Sequence, residues 1–319
     1  LLWQAWQEDY PPTPTPTSSP SSVSTAIPDI NKADVPSTPT ATVSGSAGST
    51  DIPLLPGQAV TAKVSSETGE VVRVKTDLLD VVIDTIGGTL REVRLRAFDA
   101  TTKNKDEAFV LITAELPDVF LVQSGLIGHK QAPTHRSSFQ SQKKSFELAA
   151  GETEVAVPMS FRADSGFEVT KRFIFKRDSY VVRIEHDIRN TGSEPLSMRM
   201  YSQLHRAEVE QEGGLFRTYT YTGGVISQPE KPYQKIDFGD MAEQNLDATY
   251  RGGWIAMIQH YFAAAVIPPI DQDNYYYTLS PGGQRFVVGA MDAGQSIAEG
   301  QSATLAMNIY IGPKQQERM

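Results

Sequence analysis

GFEVTKRFIFKRDSYVVRIEHDIRNTG, residues Gly166 to Gly192, is the stretch on which the fold turns. Phe167, Val169, Phe173 and Phe175 share one parity, KRDS supplies a turn, and Tyr180, Val182, Ile184 and Ile188 share the parity of the returning segment. Side chains of a strand alternate between two faces, so a period of two on both sides of a polar turn is the pattern of paired, half-buried strands.

The same period recurs outward from this hairpin. Leu79, Val81 and Ile83 alternate with Asp80 and Asp84, Gly87 and Gly88 turn the chain, and Val93, Leu95 and Ala97 alternate with Arg94 and Arg96. Further strands are predicted over residues 195–204, with Leu196, Met198, Met200 and Leu204 inward, and over 274–279, 285–290 and 303–311. Helical periodicity is confined to one short turn near residues 240–245. GGWIAMIQHYFAAAVIP, Gly252 to Pro268, is apolar on both parities and bounded by Gly-Gly and Pro-Pro. It reads as two central strands with a bend at Gln259-His260, and it is too short and too interrupted for the ~20 apolar residues of a membrane-spanning helix. Many short strands with Gly- and Pro-rich turns and no internal repeat predict one large antiparallel sandwich, an all-β fold with few short helices.

The amino-terminal region has another character. Leu1, Leu2, Trp3 and Trp6 precede Glu8 and Asp9, and two readings stay open: the end of a transmembrane helix, with Trp at headgroup level, or a frayed amphipathic terminus. From Pro11 to about Thr50 the chain is Pro, Thr, Ser, Ala and Gly, a composition that cannot offset the entropy of ordering and reads as a tether. The expected organisation is a membrane stub over residues 1–9, a disordered tether over 10–56 and a folded domain over 57–319.

Net charge is -9, with no basic run able to track phosphates, which argues against nucleic acid as a partner. The absence of cysteine excludes disulfides, thiolate nucleophiles and cysteine-ligated metal centres. The five histidines are the natural candidates for chemistry near neutral pH. His186 lies on an apolar parity, which predicts a hydrogen-bonded core histidine. His260 sits at the bend and reads as a residue pinning a turn, and His129 and His135 flank a polar loop that suits solvent exposure. His205 shares an outward parity with Arg199, Tyr201 and Gln203, a face that reads either as wet sheet surface or as the lining of a sugar-binding cleft. The aromatic, glycine-rich segment around Tyr219, Tyr221, Tyr233 and Lys235 is the candidate recognition loop. No G-x-S-x-G, P-loop, H-E-x-x-H or EF-hand pattern occurs, so no catalytic residue, metal site or cofactor is predicted.

Several stretches in order resemble the periplasmic domain of the YidC membrane protein insertases of Gram-negative bacteria. They are LLWQAWQ followed by a polar tether, VKTDLLDVVIDTIGGTL, QSGLIG, VPMSF, TKRFIFKRDSYVVRIEHDIRNTG, TYTGGVISQPEKPYQKIDF, GGWIAMIQHYFAAAVIP and YIGPK. The resemblance implies a β-supersandwich similar to galactose mutarotases, on the periplasmic side of the bacterial inner membrane, with an interfacial helix beginning after Pro313. It also implies an accessory role in the insertion and folding of inner-membrane proteins, with contacts to SecDF, the SecYEG translocon and nascent chains, and no enzymatic activity. The competing expectation is a carbohydrate-binding or mutarotase-like domain with His205 or His260 as acid.

Overall fold

The computed structural model describes residues 69–101, 104–208 and 221–314. The predicted stub and tether, and Tyr219 of the candidate loop, lie outside the described residues. Nineteen strands form two sheets, with one short helix among the described residues.

Strands are numbered in chain order. The smaller sheet has eight strands: β12 (Gln234–Ile236), β11 (Gly223–Ser227), β14 (Trp254–Gln259), β15 (Phe262–Ile267), β19 (Ser302–Pro313), β9 (Val181–Asn190), β8 (Phe167–Lys176) and β7 (Glu154–Ala163), in that spatial order. The opening stretch is therefore the β8–β9 hairpin, in register from Phe167 opposite Asn190 to Phe175 opposite Val182. The apolar Gly252–Pro268 segment is the β14–β15 hairpin, interior to this sheet, with Ala256 opposite Ala265. Both faces of these strands are buried, from Ile255 to Ile258 and from Phe262 to Val266, which is why both parities are apolar.

The larger sheet has eleven strands. Its main path runs β13 (Asp247–Arg251), β16 (Asp273–Leu279), β17 (Arg285–Met291), β10 (Leu196–Ala207), β5 (Phe120–Ile127), β4 (Asn104–Thr113), β3 (Thr89–Thr101), β2 (Leu79–Asp84), β1 (Val71–Lys75) and β6 (Ser145–Glu147). A short strand, β18 (Gln295–Ile297), pairs with the start of β10. All pairings are antiparallel except that of β1 with β6. The helix α1 (Phe238–Glu243) is the turn predicted near 240–245, and it buries Phe238 and Met241.

The inner faces of the two sheets meet in one continuous apolar layer. Val81, Ile83, Val93, Val122, Met198 and Met200 come from the larger sheet, and Val169, Phe173, Val182, Ile184, Ile188 and Ile309 from the smaller. Burial of that layer is the dominant favourable contribution to the fold. The alternation predicted for β3 fails at Ala97, which is exposed. The β3–β4 register shifts between Leu95 and Asp99, a bulge that reverses which residues face inward, so Phe98 and not Ala97 packs against the core.

Candidate functional site

The four residues predicted to line an outward cleft are brought together, but not as a wet face. On the outer side of the larger sheet Tyr201 and Gln203 have no solvent exposure and His205 is buried, while Arg199 is half-buried. A row of side chains crosses four strands: Gln123 on β5, Gln203 on β10, Gly289 on β17 and Tyr277 on β16. Gln203 Nε2 donates to Gln123 Oε1 at 2.9 Å, and the Tyr277 hydroxyl donates to Gln203 Oε1 at 2.9 Å. Gly289 makes the second bond possible. A Cβ there would stand 2.4 Å from the Tyr277 ring and hydroxyl, so the ring lies across the bare backbone to reach Gln203.

The neighbouring row repeats the device. Tyr201 lies over Gly125, whose Cβ would meet its hydroxyl at 2.8 Å, and that oxygen accepts the His135 backbone N-H at 3.1 Å and sits 2.7 Å from His135 Nδ1. His135, predicted to be solvent-exposed, is buried by this contact. Ile127, Tyr201 and Met291 form a small apolar cluster of their own, with Tyr275 packed on it. Polar groups that would have lined a cleft are thus consumed by one another.

Beside these rows, Asp292 is buried. Its Oδ1 accepts backbone N-H groups of Met200 at 3.0 Å and Gly294 at 2.9 Å, and Arg199 Nε donates to its carbonyl at 2.8 Å. Burial pushes the Asp292 carboxyl up to about 6 against the lowering pull of those bonds and of Arg199. It borders a hollow of about 290 Å³ with Gln272, Gln295 and Thr304. A second hollow, of about 530 Å³, lies by Ser138, Gln140, Ser160, Arg162 and Glu168. Among the described residues no three His, Asp or Glu side chains are grouped to hold a metal ion.

The candidate recognition residues lie at the opposite sheet's edge. Strand β12, only three residues long, ends the smaller sheet, and it carries Lys235 with Tyr233 just before it. Tyr233 is 56% exposed. The Lys235 ammonium stands 4.5 Å from the centre of the Tyr221 ring, a cation–π contact that holds both side chains at the surface. The Tyr221 hydroxyl donates to the Gly224 carbonyl at 2.8 Å, and burial, with Asp237 nearby, raises its pKa. Tyr221, Tyr233 and Lys235 therefore form one patch.

Two buried bases between the sheets were missed by sequence reasoning or read differently. Lys171 of β8 is fully buried, donating to the Gly87 carbonyl at 2.6 Å and the Ser124 carbonyl at 2.9 Å, with the rings of Phe139 and Phe173 at 5.6 and 5.3 Å. Desolvation lowers its pKa to about 7. The signal was available: Lys171 falls on the apolar parity between Val169 and Phe173. Directly across on β9 stands His186, also fully buried. The predicted hydrogen bonds are missing, since neither ring nitrogen of His186 has a partner among the described residues. Burial, and then the Lys171 charge, hold its pKa well below the usual imidazole range. His260 is exposed at the tip of the β14–β15 hairpin.

Among solved structures, the Slr1438 protein of Synechocystis is similar with a TM-score of 0.49 and 10% identity, covering 80% of this chain and 100% of its own. A galactose mutarotase related enzyme from Lactobacillus acidophilus is similar with a TM-score of 0.47 and 9% identity, covering 76% of this chain and 97% of its own. Curated relatives include the membrane protein insertase YidC of Nitrosococcus oceani, 36% identical over 100% of this chain and 56% of its own length. The protein of the same name from Methylococcus capsulatus is 36% identical over 99% of this chain and 55% of its own. The chain thus spans about half the length of these relatives. The sequence profile of the YidC periplasmic domain matches residues 71–319, the whole of the two-sheet body described above, and the chain belongs to that family.

Proposed function

We propose that this periplasmic domain is the accessory module of an inner-membrane protein insertase, aiding insertion and folding of its clients by docking and without chemistry of its own. The observation that carries this reading is the aromatic and cationic patch of Tyr221, Tyr233 and Lys235 at the edge of the smaller sheet, beside its terminal strand β12. Exposed tyrosines offer contact area at little entropic cost, and aromatic anchors beside a cation are the composition of protein-recognition surfaces. With Tyr219 they form the contact surface for SecDF, next to SecYEG and nascent inner-membrane chains. The folded body is residues 57–319, joined through a tether over 10–56 to the end of a membrane helix at 1–9.

Against a sugar-active reading stands the filling of the outer face, where Gln123, Gln203 and Tyr277 satisfy one another and Tyr201 is closed over by His135. A site that binds sugar hydroxyls keeps such groups open.

The test is co-purification of SecDF with the full-length insertase carrying alanine at Tyr219, Tyr221, Tyr233 and Lys235. Loss of SecDF at unchanged insertase yield is expected. Because Tyr221 is partly structural, Tyr233→Ala with Lys235→Glu is made in parallel, and undiminished SecDF recovery from both variants contradicts the reading.

A further inference from the structure

The β14–β15 hairpin closes with a two-residue turn, His260-Tyr261, between the paired residues Gln259 and Phe262. The first position of such turns needs a positive φ and favours Gly, Asn or Asp. Here it is His260, at a φ of 42°. The second position is Tyr261, 80% exposed. A strained residue followed by a bulky aromatic ring held in water is a poor choice for turn stability, and such departures mark surfaces with a task.

Three further observations say what kind of surface this is. First, the tip is a knob and not a groove: beneath it Phe262 is already stacked on Phe109 at 4.3 Å and set edge-on to Phe98 at 5.1 Å. A rigid aromatic knob with no pocket behind it suits a deformable partner. Second, Lys314 is attached to the tip, its backbone N-H donating to the Tyr261 carbonyl at 2.7 Å. Lys235 lies near enough that, after burial, its charge is the second cause of the lowered Lys314 pKa. On a chain of net charge -9 this is a local concentration of cations beside an exposed tyrosine. Third, outside the docking patch the other exposed apolar turns, at Leu116 and Ile270, are flanked by exposed carboxylates, Glu115 and Asp118 at the first and Asp271 and Asp273 at the second, which keep those turns in water and set the Tyr261 tip apart.

We propose that the His260-Tyr261 tip, with Lys314, seats in the headgroup layer of a phospholipid bilayer. The tyrosine ring enters the headgroup and acyl boundary, where its hydroxyl stays hydrated, and the ammonium groups meet lipid phosphates. The surface is separate from the docking patch, except that Lys235 borders both, so its test rests on Tyr261 and Lys314.

The chain has no cysteine, so a single reporter can be placed cleanly. The full chain carrying Tyr261→Cys, labelled with an environment-sensitive fluorophore, is mixed with vesicles of phosphatidylethanolamine and phosphatidylglycerol bearing nitroxide-labelled lipid. Ile270→Cys is the control: it is 79% exposed but lies beyond the far end of β15. The Tyr261 site should show a blue shift and strong quenching, and the Ile270 site neither. Adding Lys314→Glu to the Tyr261 reporter should weaken the quenched fraction about fivefold or more, the factor corresponding to roughly 1 kcal/mol for one lysine at an anionic surface. Equal response of the two sites, or a reporter at the tip that stays in water while the chain is vesicle-bound, overturns the proposal. Insensitivity to Lys314→Glu overturns the role of that lysine.

Discussion

Replacing Lys171 by methionine separates two consequences of burying a base. In the wild-type protein the Lys171 pKa is lowered from 10.5 to about 7 by desolvation. Between those values the unfolded chain holds a proton that the folded protein does not, so stability rises with pH across that window. At 1.36 kcal/mol per pH unit the full effect is at most roughly 5 kcal/mol. It is an upper figure because the Gly87 and Ser124 carbonyls and the faces of Phe139 and Phe173 favour the ammonium form. Lys171→Met removes this slope. It also strips two buried carbonyls of their donor, which costs about 1–3 kcal/mol for each group left unsatisfied. Near pH 7, by about the same measure, relief of desolvation and loss of the two bonds roughly cancel. Near pH 10 the wild-type amine is neutral and still hydrogen-bonded, so the variant should be less stable by roughly 2–6 kcal/mol. Urea unfolding followed by circular dichroism across this range gives the difference curve directly, and groups common to both proteins drop out. Parallel pH profiles would refute the reasoning, because they would mean that Lys171 titrates normally in the folded state.

His186→Leu removes two buried ring nitrogens that have no partner among the described residues, and should be neutral or stabilising by about 1 kcal/mol near neutral pH in thermal melts. Because the folded-state pKa of His186 is lowered, wild type loses stability as pH falls below the ordinary 6.5, and the leucine variant should lack that share of the loss. Asp292, raised to about 6, tilts both proteins the other way and cancels in the comparison. Gly289→Ala drives a Cβ to 2.4 Å from the Tyr277 ring and should cost roughly 2–3 kcal/mol, as overpacking and a lost buried hydrogen bond do. In a Tyr277→Leu background the same glycine change should cost markedly less, and equal costs in both backgrounds would show that the ring is not what the new methyl meets.

The all-β body was legible because β8, β9 and the first half of β19 each have one wet or polar face, so their burial alternates largely as the residues do. Strand β5 was not: FLVQSGLI is buried on both faces, and its Gln and Ser interrupt the apolar run without marking a surface. The same physics misled the reading of His205 and its neighbours. Alternation identifies two faces but cannot say that the second is covered, and here both faces of the central larger-sheet strands are closed. The bulge in β3 is equally silent in sequence, since three residues without a partner on β4, Arg96 to Phe98, reverse the parity without a glycine to announce it. The Tyr221–Lys235 contact joins residues fourteen positions apart in sequence, through the β11–β12 pairing that no local pattern specifies. Local alternation specifies faces, whereas the identity of what lies against a face is set by the register of distant strands.

The docking account is tested most directly by placing a photoreactive side chain at Tyr221, Tyr233 and Lys235, and at Arg199 and Gln203 on the closed outer face, in the intact insertase in native membranes. Crosslinks to SecDF concentrated at the first three positions and weak or absent at the last two are the predicted result. SecDF crosslinks arising from the outer face, with none from the Tyr233 edge, would contradict it.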